Sequence, residues 1–246
     1  MTNPPKLKQK LEVKKYHNYE IKDEFSWVHQ KNILEVLKDS SKLNPEVKKY
    51  LEEENAYTNL QMKDTEKFQK KLFQEIKGRI KLDDESLHFF YNKDGWEYWS
   101  KTTKENNYSI QLRKKIGDNN KIQEYWNGDK EKKKLDASYF GVGDLSVSHD
   151  HSLLGYSLDL NGSEFYTIYV RKIANEELVT EKIENTSGGI AFSKNSRFIF
   201  YTLLNEKHQP KKVFRHKIGT SQKNDELIYE ELDPKFTVSM GGLTAD

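Results

Sequence analysis

An internal repeat with a period of 45 residues is the feature of this sequence that most restricts its fold. The ten residues that begin at Ser148 (Ser-His-Asp-His-Ser-Leu-Leu-Gly-Tyr-Ser) align with the ten that begin at Ser193 (Ser-Lys-Asn-Ser-Arg-Phe-Ile-Phe-Tyr-Thr). The same spacing places residues 168–173 on residues 213–218. Each copy contains a strand, a tight Ser-x-Asp/Asn turn, an aromatic strand, a loop and a further strand. A unit of this length and strand content predicts one blade of a β-propeller.

Short segments rich in aromatic or β-branched residues fill the chain from about residue 87 onward. Turn signals such as Lys93-Asp94-Gly95 and Asn161-Gly162-Ser163 separate them, and no helical pattern intervenes. Strands that follow one another without helices favour an antiparallel meander over parallel βαβ units. The predicted strands are 88–91, 96–100, 109–113, 153–158, 166–170, 197–203 and 213–216.

Residues 30–78 carry a helical periodicity instead. Asn44 followed by Pro45 predicts a helix N-cap with proline in the first turn, where its missing N–H costs nothing. Asp64 is predicted to cap a third helix, and Gly78 is positioned to end that helix.

The apolar stripe of the third helix consists of Phe68, Leu72 and Ile76. Three short helices with single apolar faces are too few to bury one another well, so this stripe must pack on another part of the protein. The sequence therefore predicts two domains, an N-terminal helical arm over residues 1–78 and a partial β-propeller over residues 79–246.

The predicted propeller is incomplete. The last ~160 residues hold three to four blades of ~45 residues, whereas propellers close with ~4–8 blades. Residues 236–240 are predicted to begin the next blade, and residues 243–246 (Leu-Thr-Ala-Asp) resemble its Ser/Thr-x-Asp turn. We therefore expect a mainly β fragment of a longer protein. Its last blade should leave an apolar face uncovered at residues 190–192, 198–201 and 213–214.

Composition excludes several classes of function. The chain has no cysteine, which excludes disulfides, thiolate nucleophiles and cysteine-based metal sites. Lys and Arg total 41 against 39 for Asp and Glu, a net charge of +2 that favours neither nucleic acid nor an anionic membrane as a partner. No apolar run approaches the ~18 residues of a membrane helix, and the N-terminus lacks an apolar signal segment. We expect a cytoplasmic protein.

The local cluster His149-Asp150-His151 has side chains that could bind a metal, since two imidazoles at i and i+2 of a strand share a face. The cluster aligns, however, with residues 194–196 in the second copy of the repeat, and no third ligand lies nearby in sequence. We interpret it as a turn, because zinc takes three or four protein ligands.

Other charged and aromatic runs are interpreted as structural. The carboxylates at 52–54 lie on a helix and are balanced by Lys48 and Lys49 at i−4, and those at 83–85 lie in a solvated linker. The basic run 130–134 is diluted by acidic neighbours and predicts an exposed loop between blades. Aromatic residues at alternating strand positions are expected to fill the space between blades.

Several stretches spread over nearly the whole chain match one known family in their order and spacing. They are residues 53–58 (Glu-Glu-Asn-Ala-Tyr-Thr), 75–86, 162–167, 183–188, 213–220 (Val-Phe-Arg-His-Lys-Ile-Gly-Thr) and 229–238. The chain resembles the N-terminal part of the prolyl oligopeptidase family of serine peptidases. Within that family, the Arg-His-x-x-Gly-Thr and Glu-Glu-Asn-Ala-Tyr stretches resemble the oligopeptidase B group.

The resemblance implies a two-domain serine hydrolase. In the family, a helical arm joins an α/β-hydrolase domain at the C-terminal end of the chain, and a seven-bladed propeller covers the active site. A serine attacks the peptide carbonyl with the help of His and Asp, and no cofactor is needed. The oligopeptidase B group cleaves short peptides after Lys or Arg, with the propeller gating access. The implied partners are therefore short peptides and the missing C-terminal hydrolase domain.

No catalytic, cofactor-binding or metal-ligating residue is assigned to any position of this chain. The Gly-x-Ser-x-Gly nucleophile elbow is absent, and the surroundings of Ser163 and Ser221 do not fit it. The family's triad lies downstream of Asp246. Two hypotheses remain, the N-terminal portion of an oligopeptidase B-like peptidase, inactive by itself, and a non-catalytic β-propeller-like binding module. A nucleophile elbow in the reading frame beyond Asp246 would discriminate between them.

Overall fold

The computed structural model describes residues 3–91, 93–118, 121–180 and 182–241. By its backbone contacts the chain divides into two compact units, Met1–Lys81 and Leu82–Asp246. The division falls slightly later than the position expected from sequence. The reason is local, since the amides of Arg79 and Ile80 still donate to Ile76 and Lys77 of the preceding helical turn.

The first unit begins with a β-hairpin and continues with helices. Its elements are β1 Glu12–Tyr16, β2 Tyr19–Asp23, α1 Ile33–Lys38, α2 Pro45–Met62 and α3 Glu66–Gly78, with single 3-10 turns at Ser26–Val28, Ser40–Lys42 and Lys63–Thr65. The hairpin was missed by the sequence analysis. Both strands carry alternating charges and are largely exposed, and the turn between them depends on His17 at φ 54°.

The helix boundaries confirm one predicted cap and correct another. Asn44 accepts a hydrogen bond from the amide of Glu46 at 2.8 Å, and Pro45 opens α2 as predicted. Asp64 does not cap α3. The 3-10 turn that contains it joins α2 directly to α3, and Thr65 at the N-cap position makes no capping bond. A helix entered from a preceding turn needs no separate cap, because that turn already supplies acceptors for its first amides.

The second unit consists of antiparallel sheets that form three successive blades in the described part of the chain. Blade 1 comprises β3 Asp84–Glu85 and β4 Phe89–Tyr91, which share its first position, then β5 Trp96–Thr102, β6 Ile110–Lys115 and β7 Gln123–Asn127. Blade 2 comprises β8 Gly141–Val147, β9 Leu153–Asp159, β10 Tyr166–Lys172 and β11 Ile183–Thr186. Blade 3 comprises β12 Ala191–Phe192, β13 Phe198–Leu204, β14 Pro210–Lys217 and β15 Glu226–Glu230. The fold is therefore mainly β with an N-terminal helical segment, as predicted.

The predicted repeat is confirmed bond by bond in blades 2 and 3. Ser148 donates its hydroxyl to Asp150 at 2.6 Å and accepts from the amide of Leu153 at 2.9 Å. In blade 3, Ser193 donates to Asn195 at 2.8 Å and accepts from the amide of Phe198 at 3.0 Å. The turn requires a short acceptor two residues after the serine, which explains the Ser-x-Asp/Asn pattern.

A second recurring bond closes all three blades. An isoleucine amide donates to a carbonyl 21 residues earlier, just before the second strand of the blade, at 2.9–3.1 Å. The pairs are Ile116 with Gly95, Ile173 with Ser152, and Ile218 with Arg197. The second and third strands of each blade therefore occupy the same 21-residue span. Blade 1 belongs to the repeat although its sequence does not align with the other two.

The apolar face expected to be uncovered on the last blade is only partly so. Ile190, Ile199 and Tyr201 are buried against Ile168, Val170 and Ile183 of blade 2, so the prediction was wrong for these three residues. Phe198 and Phe200 lie on the opposite side of the strand and are half-buried. The guanidinium of Arg215 lies 4.9 Å from the ring of Phe198 and partly covers it.

Two further predictions are corrected by the connections between elements. Residues 130–134 form part of a helix, α4 Gly128–Leu135, between blades 1 and 2 rather than a loop. Residues 236–240 do not form a strand. They run irregularly along blade 3, where the amide of Val238 donates to Pro210 at 3.0 Å. The turn predicted at residues 243–246 lies outside the described residues.

Candidate functional site

Blades 2 and 3 contact each other beside their first strands, β8 and β12, and also between β11 and β13. The carboxylate of Asp144 in β8 accepts from the amide of Ile190 at 2.9 Å, next to β12, and Ser157 donates to the carbonyl of Gly188 at 2.7 Å. Because the sheets of a propeller surround a central axis, we assign the edge formed by β8 and β12 as the inner one. A cleft of about 330 Å³ opens between blades 1 and 2. It is lined by Phe89, Tyr91, Asp94, Tyr98, Tyr125, Leu145, Ser146, Val147, Ser148, His149 and His151.

His151 occupies the floor of this cleft because of the turn that contains it. Its backbone is left-handed, with φ 59°, and its amide donates to Ser148 at 2.8 Å. This geometry buries the imidazole, 7% exposed, against the rings of Trp96 and Tyr98 at centroid distances of 5.7 and 5.6 Å. His149, two residues earlier, is exposed.

Hydrogen bonds tie the imidazole of His151 to blade 1. Its Nδ1 lies 2.8 Å from the hydroxyl of Tyr98. The Nη1 of Arg113 donates to that hydroxyl at 3.3 Å and to the carbonyl of His151 at 2.6 Å. The carboxylate of Asp94 lies 3.4 Å from Nε2 without hydrogen-bond geometry, so within the described residues this buried nitrogen has no hydrogen-bond partner.

Burial controls the protonation of this cluster. Loss of solvation lowers the pKa of His151, and the carboxylate of Asp94 only partly opposes that effect. Burial also raises the pKa of Tyr98, against the opposing effect of Arg113. At neutral pH the imidazole is therefore neutral and both groups act through hydrogen bonds.

The cluster His149-Asp150-His151 is a turn, as interpreted from sequence. Asp150 accepts from the hydroxyl of Ser148 and from the amide and hydroxyl of Ser152, which lowers its pKa despite partial burial. The two histidines point to different environments. Across the residues that the structure describes, no group of three His, Asp or Glu side chains could hold a metal ion.

A buried polar network that was not predicted from the sequence joins blades 2 and 3. The Nδ1 of His216 lies 2.7 Å from Asp225, and its Nε2 lies 2.7 Å from the hydroxyl of Thr180. Tyr201 donates to the second carboxylate oxygen of Asp225 at 2.8 Å. The order Thr-His-Asp is that of a hydrolytic triad, but His216 is 0% exposed and cannot reach a substrate.

This network is a structural brace, and one sequence signal could have revealed it. His216 belongs to the Arg-His-x-x-Gly-Thr stretch that carries much of the family resemblance. A buried histidine needs two partners for its ring nitrogens. The structure supplies them from Asp225 in the same blade and from Thr180 at the edge of blade 2.

A second missed interaction holds α4 against the blades. The guanidinium of Arg171 donates to Glu131 at 2.8 Å and to the carbonyl of Tyr125 at 3.1 Å. Both charged side chains are over 90% buried, and the guanidinium lies 5.4 Å from the ring of Trp126. Within the basic run 130–134, Glu131 therefore attaches α4 to the blades, while Lys133 and Lys134 are exposed.

The carboxylate runs are solvated, as interpreted. Glu52 and Glu53 lie 4.0 and 3.9 Å from Lys48 and Lys49, at the predicted i−4 spacing. Residues 83–85 are exposed, and Asp83 accepts a hydrogen bond from the backbone amide of Lys104. In the described part of the chain, no helix is both long and apolar enough to span a bilayer.

Antiparallel four-strand units that repeat around an inner edge define a β-propeller segment. The chain belongs to the prolyl oligopeptidase family. The model of that family's N-terminal β-propeller domain matches residues 4–246.

Two relatives are similar over much of this sequence. Dipeptidyl aminopeptidase BI of Pseudoxanthomonas mexicana is 33% identical over 98% of this chain, and Protease 2 of Moraxella lacunata is 28% identical over 79%. The matches span only 34% and 29% of the lengths of these relatives. The chain therefore corresponds to about a third of each protein.

Solved structures share the fold. Oligopeptidase B from Leishmania major superposes with a TM-score of 0.81 and 22% identity over 96% of this chain and 34% of its own. Oligopeptidase B from Trypanosoma brucei, in a closed form with covalently bound antipain, superposes with a TM-score of 0.81 and 23% identity. The match covers 97% of this chain and 34% of that protein. At these identities the comparison establishes the fold alone. It extends over the helical segment as well as the blades.

Proposed function

We propose that the chain is the N-terminal portion of an oligopeptidase B-like serine endopeptidase that cleaves short peptides after Lys or Arg. The observation that carries this proposal is the match of the family's propeller domain to residues 4–246, together with a shared fold over 96% of the chain. Membership of the family supplies the reaction class, and the resemblance of the Arg-His-x-x-Gly-Thr stretch favours the oligopeptidase B group.

The propeller's role in this proposal is to restrict access. A narrow, covered cavity admits short flexible peptides and excludes folded proteins. The helical arm, residues 1–78, packs on the hydrolase domain in the same proposal. This packing is supported by three apolar side chains of α3 that lack cover, since Phe68, Leu72 and Ile76 are 65%, 41% and 52% exposed. A location in the cytoplasm belongs to this proposal too, and fractionation of the source cells tests it.

The decisive experiment is to purify the product of the complete reading frame and assay it on matched fluorogenic peptides. Blocked peptides with Lys or Arg before the cleaved bond should be hydrolysed, and the same peptides with Pro or Gln should not. Antipain, which is covalently bound in the Trypanosoma brucei enzyme, should inhibit. Cleavage only of peptides with a free amino terminus would replace this proposal by a dipeptidyl aminopeptidase activity, in keeping with the name of the 33% identical relative.

The alternative is a non-catalytic β-propeller-like binding module. The aromatic cleft between blades 1 and 2 is the observation that favours it, because a preformed apolar pocket with a few polar groups is the usual form of a ligand site. A full-length product that lacks peptide hydrolysis and a reactive serine would support this alternative.

A further inference from the structure

The cleft between blades 1 and 2 combines apolar walls with two polar groups, a buried nitrogen without a hydrogen-bond partner among the described residues and a half-exposed carboxylate. Rings of Phe89, Tyr91, Tyr98 and Tyr125 line it. Its volume of about 330 Å³ lies at the lower end of the ~300–1,000 Å³ typical of ligand sites. The space suits one large amino-acid residue better than an extended cofactor.

The first polar group is the Nε2 of His151, and its neighbours determine that it is a hydrogen-bond donor. A guanidinium can only donate, so the Tyr98 oxygen accepts from Arg113. The Tyr98 hydroxyl proton then needs an acceptor, and in the described part of the chain Nδ1 of His151 is the one within reach, at 2.8 Å. A neutral imidazole that accepts at Nδ1 carries its proton on Nε2. This N–H is buried, lies at the cleft and has no hydrogen-bond partner.

The second polar group is the carboxylate of Asp94, which accepts hydrogen bonds. It is 52% exposed and lies 3.4 Å from Nε2 of His151. Its position is fixed by the turn at the end of β4, where the amides of Asp94 and Gly95 donate to Tyr91 at 3.0 and 2.9 Å. A donor and an acceptor are thus held side by side at one end of an aromatic cleft.

An extended peptide residue is complementary to this arrangement. In β conformation the N–H and C=O of one residue point to the same side, which is how hydrogen-bonded pairs form in antiparallel sheets. Its N–H can donate to Asp94 while its C=O accepts from Nε2 of His151. Its side chain then stands away from the main chain, where the aromatic walls favour an apolar group.

We propose that this cleft binds one residue of an extended peptide, through its main-chain N–H and C=O and with an aromatic or large aliphatic side chain. This rests on the proposed function, since peptides are the substrate class there. The cleft would select substrates at a residue other than the one cleaved. A simple cation is disfavoured, because Arg113 contacts two cleft-lining residues and Lys115 donates to the carbonyl of Asp94.

The test is binding of capped peptides to the 246-residue chain, followed by NMR of ¹⁵N-labelled histidine. Acetyl-Gly-Phe-Gly-amide should bind saturably and shift the ring-nitrogen signals of His151, and acetyl-Gly-Gly-Gly-amide should bind at least tenfold more weakly. Phenethylamine serves as the cationic probe. Equal binding of the two peptides, or tighter binding of phenethylamine, would overturn the proposal. So would the absence of saturable binding to the folded chain.

Two variants localise the binding. Asp94→Ala should weaken binding of the phenylalanine peptide by about tenfold or more. This is the range expected for the loss of a hydrogen bond to a charged group. Ser146→Phe places a ring in the cleft and should abolish binding. Glu105→Gln, an exposed charge on the same blade, is the matched control and should bind like the parent. Unaltered affinity in both cleft variants, with unchanged circular dichroism, would contradict the proposal.

This experiment is independent of catalysis. Peptide binding by residues 1–246 requires no hydrolase domain and no turnover. Failure of the full-length product to cleave Lys or Arg peptides would therefore overturn the proposed function while leaving the binding result intact. Conversely, if the full-length product is an active peptidase but residues 1–246 bind no capped peptide, the proposed function stands and only the proposal about the cleft is overturned.

Discussion

The Nδ1 of His216 lies 2.7 Å from the carboxylate of Asp225, and both side chains are almost completely buried. Thr180 and Tyr201 satisfy the remaining nitrogen and oxygen. Tyr201 lies in the middle of β13, His216 near the end of β14, Asp225 just before β15 and Thr180 at the edge of the preceding blade. A buried polar network that is fully satisfied specifies one arrangement of its neighbours, because any displacement leaves a polar atom unpaired.

His216→Ala should therefore destabilise the second unit strongly. The substitution leaves the Asp225 carboxylate buried without its partner, a change that costs about 3–5 kcal/mol. Urea unfolding followed by circular dichroism measures it. Glu226→Gln is the control, since its exposed pair with Arg215 contributes less than about 1 kcal/mol. Equal midpoints for the two variants would show that the network does not brace the blades.

Glu131→Gln should be similarly destabilising, for a related reason. Arg171 would remain buried with only the half-exposed carboxylate of Glu176, 3.9 Å away, to compensate its charge, at a cost of up to about 3–5 kcal/mol. Lys134→Ala removes only the exposed member of the cluster and should change unfolding by less than about 1 kcal/mol. Replacing the pair together, as Glu131→Leu with Arg171→Met, should cost less than Glu131→Gln alone. If the double variant is the least stable of the three, the ion pair contributes net stability.

Stability should fall as the pH drops below about 6.5 in a way that depends on His151. Its pKa in the folded chain is lowered by burial, so the unfolded chain binds the proton more readily. Since stability rises with pH wherever the unfolded state binds more protons, this contribution is complete above the unfolded pKa and is lost toward the folded one. Between pH 5 and 8, the melting temperature of His151→Gln should change less steeply with pH than that of the parent. A parallel pair of profiles would contradict the lowered pKa.

The exposed stripe of α3 should dominate the binding of hydrophobic dyes. Phe68 and Ile76 of this stripe are 65% and 52% exposed, and Phe73, which lies beside the stripe, is 59% exposed. Phe68→Ser with Phe73→Ser should lower dye fluorescence and self-association without lowering the melting temperature, because little burial is lost. Phe198→Ser on blade 3 is the comparison. A larger loss of dye binding in that variant would place the principal apolar surface on the last blade, as first expected from sequence.

The 246-residue chain should not hydrolyse Lys- or Arg-containing peptides. It has no Gly-x-Ser-x-Gly elbow, and the one Thr-His-Asp arrangement found in the described residues is closed to solvent. Fluorogenic assays with a serine-directed inhibitor measure this. Inhibitor-sensitive turnover that persists in Thr180→Val would reveal a nucleophile elsewhere. Turnover abolished by Thr180→Val would show that the buried network opens.

The sequence predicted the blades well but not their contacts. The pairs Ser148/Ser193 and Ile173/Ile218 recur at one spacing, so periodicity alone located blades 2 and 3. Blade 1 escaped the alignment because α4 and its connections change the spacing to the next blade, and because Tyr91 and Lys93 stand where that blade has Ser148 and Asp150. The partners of His151, His216 and Arg171 come from segments 9 to 53 residues away. No local pattern encodes such contacts, since they depend on how one sheet packs on the next.

The closing bond across 21 residues has a consequence for changes in chain length. Within that span, from Gly95 to Ile116 or from Ser152 to Ile173, one added residue would shift every side chain of a strand to the opposite face. Outside the span, blades 1 and 2 are 57 residues apart at equivalent positions, whereas blades 2 and 3 are 45 apart. The 21-residue span inside each blade is therefore constant, whereas the segments that connect the blades differ in length. A spectroscopic label or an affinity tag can be inserted after Leu135, in the longer of these two connections, without altering the spacing inside any blade.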